Sequence, residues 1–290
     1  MTNRIAIYAA WDKDGNIDNA DIAYLSALKK CVDKIIYIAD CDIKENEKIK
    51  LKDICYHVEG KRHREYDFGS YKRGFIYAIQ HHLLDDADEL IFVNDSCFAP
   101  FHPFKPIFEK MSSTECDFWG LTLNTEFYPH IQSFFLVFRP LVFNSAVFKN
   151  FMQQITTQTN VNNIIQKYEI GLTKYLEENG FNKATYIPYP INQFKRKNLT
   201  AYPIWLIKQG FPLLKKKAMN NFEANDEGII KTYMYVCRYG LVPLKDISFK
   251  EILLSFIKPV LRFLYQKKIT KKGKLLIKIC KIPVFTKVIK

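Results

Sequence analysis

The sequence predicts an α/β fold in which a Rossmann-like sheet of mostly parallel strands is flanked by helices. Short apolar runs rich in β-branched residues alternate with segments of helical periodicity over the first 200 residues. The run at 89–94 is apolar over four consecutive residues, as expected of a strand buried in a parallel sheet. The chain has 290 residues and is 48% hydrophobic, so it is large enough to bury a full core.

The predicted elements follow one another as strand, helix and strand, and after a lysine-rich connector the pattern continues. We predict strands at 4–9, 34–38, 54–58, 89–94, 116–122, 130–138 and 185–187. We predict helices at 20–32, 67–84, 140–154, 162–179, 205–219 and 226–239. The pattern changes after the last strand, so we divide the chain into a catalytic-size domain at 1–200 and a helical region at 201–290.

The net charge of +13 is concentrated at one end of the chain. Residues 258–290 contain ten lysines, one arginine and no acidic residue, which leaves only +2 for the preceding 257 residues. Apolar residues alternate with these lysines, and a basic amphipathic helix over 251–290 is typical of binding to an anionic membrane surface. Two alternatives are nucleic-acid binding and a helical hairpin packed on the catalytic domain. No nucleic-acid recognition motif accompanies the charge, so nucleic acid is the less favoured of the two.

The seven cysteines are scattered and form no CxxC pair, so neither a zinc site nor a disulfide framework is indicated. Free thiols favour a reducing compartment. No signal peptide and no apolar run of membrane-spanning length is recognised. We therefore expect a cytoplasmic protein that lies peripherally at the inner face of the cytoplasmic membrane.

Three polar clusters fall where the predicted sheet has its ligand-binding edge, at 67–73, 94–96 and 130–133. Asp95 follows a buried strand, where one carboxylate could hold a divalent metal against a phosphate or bind a ribose hydroxyl. The alternative is that Asn94 and Asp95 only turn the chain out of the strand. Lys72 and Arg73 lie in the first turn of a helix, where the dipole disfavours cations, so a neighbouring anion would explain them. They could equally be solvated helix residues.

Glu169 is a fourth candidate because it precedes Gly171 and an apolar helical stretch that ends in Gly-Phe. This segment resembles the acid-then-helix segment of inverting nucleotide-sugar transferases, in which the carboxylate accepts the proton of the attacking hydroxyl. His130 is a second candidate for this role. A single Glu on a helix is more often only part of a solvated face.

Several segments, in this order and spacing, resemble the rhamnan synthesis F family of bacterial glycosyltransferases. The segments are YDFGSYKRG (66–74), LIFVNDSCFAP (90–100), DFWGLT (117–122), HIQSFFLVF (130–138), EIGL (169–172) and WLIKQGFPLLKK (205–216). The resemblance implies a GT-A-like fold and transfer of a sugar, often rhamnose from dTDP-rhamnose, onto a surface polysaccharide. It also implies that Asp67, Gly69 and Lys72 contact the nucleotide. Asp95 would stand in for the Asp-x-Asp carboxylates, although only one acid is present here.

The resulting hypothesis is a glycosyltransferase that uses a dTDP- or UDP-linked sugar and a lipid-linked glycan acceptor, without nucleic acid. Glu169 and His130 are the catalytic candidates, and Asp95 is the candidate ligand of a Mg²⁺ or Mn²⁺ ion. The predicted donor-binding residues are Asp67, Gly69, Lys72, Arg73, Asn94, Asp95, Ser96, Trp119 and Gln132. Tyr66 and Trp119 could stack on a sugar or base, and Trp119 could equally be part of the core. The alternatives are a non-catalytic glycan-binding or scaffold subunit and, less favoured, a nucleotidyl or phospho-sugar transferase.

Overall fold

The structure is a computed structural model that describes residues 2–158, 160–190 and 193–239 and three strands nearer the carboxyl terminus. The strands are β1 (Arg4–Ala10), β2 (Lys34–Ala39), β3 (His57–Gly60), β4 (Glu89–Asn94), β5 (Cys97–Phe98), β6 (Phe118–Gly120), β7 (Leu123–Asn124), β8 (His130–Ile131), β9 (Phe135–Phe138), β10 (Lys183–Thr185), β11 (Leu214–Lys215), β12 (Tyr265–Ile269), β13 (Lys274–Ile279) and β14 (Ile282–Val288). The α-helices are α1 (Asn19–Leu28), α2 (Glu45–Lys48), α3 (Tyr66–Gln80), α4 (Lys105–Ser112), α5 (Pro140–Phe143), α6 (Ala146–Gln153), α7 (Val161–Ile164), α8 (Gly171–Glu178), α9 (Pro203–Lys208), α10 (Lys216–Asn220) and α11 (Ile229–Tyr239). A π-helical segment, Ile165–Ile170, joins α7 to α8.

A seven-stranded sheet in the order β10-β6-β9-β4-β1-β2-β3 forms the centre of the molecule. All its neighbouring strands are parallel except β9, which runs antiparallel to both β4 and β6. This arrangement confirms the predicted mostly parallel α/β sheet. As a result, the carboxyl ends of the other strands and the amino end of β9 meet at one edge, called here the carboxyl edge.

Both faces of the sheet are buried, and alternate residues of β1 point to opposite faces. Ile5 and Ile7 pack with side chains of α3, α5, α6 and α8. Ala6 and Tyr8 pack on the other face with side chains of α1 and α4. Burial on both faces explains why the central strands are apolar runs rather than alternating sequences.

Several element boundaries differ from the prediction. The third strand is His57–Gly60 rather than 54–58, and the run at 130–138 divides into β8 and β9. The predicted helix at 205–219 is interrupted, because Gly210 has a φ of +84° and Pro212 follows it. The chain there forms β11, which pairs antiparallel with β5.

The segment from α9 to α11 packs against the sheet domain. Ile207, Leu214 and Val236 share a buried cluster with Ala20 and Phe98 from the first 200 residues. Residues beyond the predicted boundary at 200 therefore contribute to the same packed body.

The predicted helical tail has a different secondary structure in the parts that are described. The ranges Tyr265–Ile269, Lys274–Ile279 and Ile282–Val288 form a three-stranded antiparallel sheet, β12-β13-β14, instead of helix. These ranges are rich in Ile and Val, whose branched side chains favour strands. Residues 251–264 of the predicted helix lie outside the described residues. Among the helices that are described, none is long and apolar enough to cross a membrane.

The contact between α3 and β1 leaves no room for a side chain at Gly74, which gives a test of this packing. A Cβ at Gly74 would lie 2.4 Å from Ile7 Cγ2. We expect Gly74→Ala to lower the free energy of unfolding by about 1–3 kcal/mol, because the added methyl group would overpack the core. This loss outweighs the higher helix propensity of Ala. Urea unfolding measures the difference.

Gly171 is the matched control, because a Cβ there would meet only Gln166 O, at 3.4 Å. Gly171→Ala should raise the free energy of unfolding by up to about 1 kcal/mol, through helix propensity alone. Equal effects of the two substitutions would contradict the packing described here.

Candidate active site

A chain of hydrogen bonds crosses the carboxyl edge at the end of β4. The buried Asn94 donates from Nδ2 to Asp67 Oδ2 over 2.8 Å and accepts at Oδ1 from Ser96 Oγ over 2.5 Å. Ser96 Oγ in turn accepts from Lys215 Nζ over 2.8 Å. The structure thus brings together the predicted residues Asp67, Asn94 and Ser96, and it adds Lys215 from a segment 119 residues further along the chain.

Asp95, next to this series of hydrogen bonds, is held by the backbone of β1 and of the residues that follow it. Its N–H donates to Ala9 O over 3.1 Å, and its Oδ2 accepts from Trp11 N over 2.8 Å. Burial, joined by the negative charge of Asp67, raises the pKa of Asp95 to about 7. The pKa of Asp67 is raised to about 6, mainly by burial, which outweighs the opposing charge of Lys215.

Asp40, at the end of β2, orders the loop that leads into α3. Its Oδ1 accepts from the N–H groups of His63 and Arg64, each over 2.7 Å, and its Oδ2 accepts from Tyr66 N over 3.3 Å. Arg64 and Tyr66 have φ values of 62° and 56°, which residues other than glycine rarely adopt. The hydrogen bonds to Asp40 therefore stabilise an otherwise unfavourable turn. The turn places Asp67 at the carboxyl edge.

Glu169 is held in place by two side chains that precede β9. Its Oε2 accepts from Ser133 Oγ over 2.6 Å, and its Oε1 lies 3.3 Å from His130 Nε2. Burial would raise the pKa of Glu169, but the hydrogen bonds from His130 and Ser133 and the charge of Lys215 outweigh it, so the pKa lies below its usual value. Glu169 is therefore ionised at neutral pH.

His130 is nearly inaccessible, with 1% of its side chain exposed, whereas 22% of the Glu169 side chain is exposed. The His130 Nδ1 lies 2.8 Å from the carbonyl oxygen of Tyr128, and its Nε2 faces Glu169. His130 thus orients the Glu169 carboxylate, and Glu169 is the more accessible of the two catalytic candidates. Gln132 lies nearby, and its side chain accepts a hydrogen bond from Thr122 Oγ1 over 3.0 Å.

A cavity of about 540 Å³ lies beside Ser96, Lys215 and Glu169. Ser96, Lys215, His130, Gln132 and Glu169 all line it. The rest of its wall is mostly polar and comes from two loops and α10, through Asn124, Glu126, Phe127, Arg196, Asn198, Thr200, Lys217, Asn221 and Glu223. Ser96, which follows β4, and the candidate base Glu169 thus open on one space.

Two of the predicted donor-binding residues, Lys72 and Arg73, are engaged elsewhere. Lys72 Nζ donates to the carbonyl oxygens of Gln153 and Ile155, over 3.3 and 2.8 Å, at the end of α6. Arg73 forms an ion pair of 2.6 Å with Glu65. These contacts within the fold account for both cations without a bound anion.

Trp119 and Gly69 also have structural roles. Trp119 is fully buried in the core and donates from Nε1 to Glu89 Oε1 over 3.3 Å, so its ring is not available for stacking on a ligand. A Cβ at Gly69 would lie 2.3 Å from Glu65 Cβ, so glycine is needed for the close packing of the preceding turn on α3. Tyr66, at the start of α3, is 43% exposed.

The sequence reasoning missed Lys215, Asp40 and Trp11. Asp40 follows a buried strand as Asp95 does, and this shared pattern could have indicated it. Trp11 follows β1 and is 54% exposed at the carboxyl edge. Lys215 lies in the recognised segment at 205–216, but only the pairing of β11 with β5 reveals where it points.

The carboxylates at this edge do not form a complete cage for a metal ion. Within the described ranges, no three His, Cys, Asp or Glu side chains are grouped so that they could hold one. Burial is the main reason that the pKa values of Asp95 and Asp67 are raised, and the charge of Asp67 raises the pKa of Asp95 further.

The raised pKa of Asp95 predicts a pH-dependent gain in stability on substitution. The folded protein keeps the Asp95 proton up to about pH 7, whereas the ordinary pKa is 3.8, so ionisation lowers stability as the pH rises through that window. At pH 8 we expect Asp95→Asn to raise the free energy of unfolding by about 1–3 kcal/mol. Denaturant unfolding from pH 3 to pH 8 measures the difference between the two proteins.

The gain should vanish below about pH 4, where Asp95 is protonated in both the folded and the unfolded state. Asp86→Asn is the control, because Asp86 is exposed and its substitution should have little effect at any pH. A constant difference between Asp95→Asn and the wild type across the range would show that the buried charge is not its cause.

Comparison with known proteins gives matches of several kinds. The family described as Rhamnan synthesis protein F matches residues 35–288. "Virulence protein VirA" of Vibrio anguillarum is 27% identical over 187 residues, which cover 54% of this chain and 60% of that protein. "Uncharacterized protein y4gN" of Sinorhizobium fredii is 24% identical over 162 residues, which cover 54% of this chain and 42% of that protein. The chain thus spans about half the length of these curated relatives.

Two solved structures are similar at low sequence identity. A cytidylyltransferase from Leptospira borgpetersenii is 10% identical with a TM-score of 0.42, and the match covers 83% of this chain and 97% of that one. A glycosyltransferase involved in the glycosylation of the major capsid of PBCV-1 is 11% identical with a TM-score of 0.39, and the match covers 73% and 92%. The resemblance noted in the sequence is confirmed by the family match, which extends over most of the residues: the chain belongs to the Rhamnan synthesis protein F family.

Proposed function

We propose that the protein is a glycosyltransferase that moves a sugar, such as rhamnose, from a nucleotide-sugar donor to a growing bacterial surface polysaccharide. The observation that carries the proposal is that an ionised, partly exposed carboxylate, Glu169, opens on the same cavity as Ser96 and Lys215. Membership of the Rhamnan synthesis protein F family supports it.

The donor would bind at the carboxyl edge. Asn94, Ser96 and Asp67 present fixed polar groups there, and Asp95 with Asp67 would hold a Mg²⁺ or Mn²⁺ ion that accompanies the diphosphate. Such an ion would offset charge on the phosphates. The exposed ring of Trp11, on the other side of Asp95, offers a stacking surface for the base of a dTDP- or UDP-linked sugar.

The acceptor would occupy the opposite side of the cavity. Asn124, Asn198, Thr200 and Asn221 line that side with amide and hydroxyl groups suited to sugar hydroxyls. Phe127, 71% exposed, provides an apolar surface at its margin. This lining favours a glycan acceptor, and we propose a lipid-linked one.

Glu169 would act as the general base. It would take the proton of the acceptor hydroxyl as the hydroxyl oxygen bonds to the anomeric carbon and the bond from that carbon to the diphosphate breaks. His130 and Ser133 would hold the carboxylate in position. A single displacement of this kind inverts the anomeric centre.

Removing the base should abolish turnover but leave donor binding intact. We expect Glu169→Gln to lower kcat by about 10²–10⁴-fold, because the amide cannot accept the proton. Release of nucleoside diphosphate from a panel of dTDP- and UDP-sugars, with a glycan acceptor present, measures turnover. Calorimetry with the same donors measures binding.

Glu178→Gln is the matched control on the same helical stretch, since Glu178 is an exposed residue paired with Lys174. It should leave kcat unchanged. Full activity of Glu169→Gln would refute the assignment of the base. If the wild type binds no nucleotide-sugar with or without Mn²⁺, the non-catalytic scaffold becomes the better hypothesis.

The basic tail provides the second part of the proposal, a peripheral location at the cytoplasmic face of the membrane. Each lysine near an anionic surface contributes about 1 kcal/mol, and 258–290 carries eleven cationic residues and no acidic one. We expect the protein to sediment with vesicles that contain phosphatidylglycerol and to be released by salt. A chain truncated after Lys250 should stay in the supernatant.

Vesicles of phosphatidylcholine alone are the control. Binding to them as strong as to the anionic vesicles would exclude an electrostatic mechanism. Unchanged binding of the truncated chain to anionic vesicles would show that the tail is not the responsible segment.

A further inference from the structure

The segment at Leu214–Lys216 is fastened to the strand that follows the β4 cluster. Leu214 pairs with Phe98 and Lys215 with Cys97 across the β11–β5 ladder. The N–H of Lys216 then donates to Ser96 O over 2.9 Å. The backbone that carries Lys215 is therefore fixed by hydrogen bonds directly beside Ser96.

Two consecutive lysines leave this backbone in different directions and meet different surroundings. Lys216 lies 3.3 Å from Asp18 and 3.5 Å from Asp21, so two carboxylates offset its charge. Lys215 Nζ instead contacts the neutral Ser96 hydroxyl at 2.8 Å and lies 4.4 Å from the centre of the Phe134 ring. Among the ion pairs of the described residues, none involves Lys215.

The position of Lys215 is unusual because a half-buried ammonium normally has an anionic partner. Its charge opposes the burial that raises the pKa of Asp67, and it helps to lower the pKa of Glu169. Neither carboxylate binds Lys215 directly. Its ammonium lines the cavity between the end of β4 and Glu169. An anion entering the cavity at this point would complete the coordination of the ammonium.

We propose that Lys215 binds the diphosphate of the nucleotide-sugar and neutralises the charge that develops on it as the sugar is transferred. This inference rests on the proposed function. When the bond between the anomeric carbon and the diphosphate oxygen breaks, its electron pair stays on that oxygen, so the leaving group gains one negative charge. The acceptor proton passes to Glu169, and Lys215 keeps its own proton. Charge-assisted contacts prepared before the reaction stabilise such a leaving group without reorganisation.

The inference also explains why residues beyond 200 pack on the sheet domain. Ser96 at the end of β4 offers a hydroxyl but no cation, and the two cations of α3 are engaged elsewhere, Lys72 with the end of α6 and Arg73 with Glu65. The ladder between β11 and β5 brings in a cation at the position where α3 supplies none.

The test compares nucleoside diphosphate with nucleoside monophosphate, because only the diphosphate has a second phosphate group. Calorimetry with UDP and UMP, and with dTDP and dTMP, is run on the full chain with and without Mg²⁺. We expect Lys215→Met to weaken diphosphate binding by about 10–100-fold, the loss typical of a charge-assisted hydrogen bond, and to change monophosphate binding little. Lys215→Arg should retain most of the diphosphate affinity.

Lys174→Met is the matched control, since it removes an exposed lysine of α8 and should leave all four affinities unchanged. Circular dichroism and thermal unfolding establish that each variant is folded. Equal diphosphate affinity of Lys215→Met and the wild type would overturn the inference, and so would an equal loss for monophosphate and diphosphate. If the wild type binds neither nucleotide, the proposed function fails, and with it this role of Lys215.

Discussion

The arrangement of the site depends on two hydrogen bonds made by the buried side-chain amide of Asn94. Its nitrogen binds Asp67 from α3, and its oxygen binds Ser96, which in turn receives Lys215. An amide is suited to this position because it donates on one side and accepts on the other. A carboxylate in its place could not donate to Asp67, and two buried acids would then repel each other.

The site also illustrates how a mostly parallel sheet can use a reversed strand. Because β9 runs antiparallel, its amino end lies at the carboxyl edge, and the residues just before it can hold Glu169 across the cavity from β4. A sheet with all strands parallel would place that end on the opposite side of the molecule. The reversed strand is thus what allows Glu169 and Ser96 to face the same space.

Much of the fold could be predicted from the sequence, because buried parallel strands are apolar runs and helices have a clear period. The strand pattern also indicated that Asn94 and Asp95 lie at the end of a buried strand, whereas Glu169 and the role of Asp67 were suggested by the resemblance to known transferases. What could not be predicted depends on contacts between distant segments. Nothing in the sequence around Lys72 indicates that α6 ends beside it, and nothing around Lys215 indicates the pairing with Cys97. The strands β12 to β14 were missed because alternating lysines and apolar residues suit a helix face as well as a strand.

The pairing of β11 with β5 has a consequence for how the site is assembled. The seven strands of the central sheet lie within the first 190 residues, but Lys215 comes from a segment more than 100 residues beyond Ser96. Lys215 is therefore synthesised after Asp67, Asn94, Ser96 and Glu169. A fragment that ended before Lys215 would contain the carboxylates of Asp67 and Glu169 but lack the ammonium whose charge acts on both. Division of the chain at residue 200 would separate the two halves of one chemical unit.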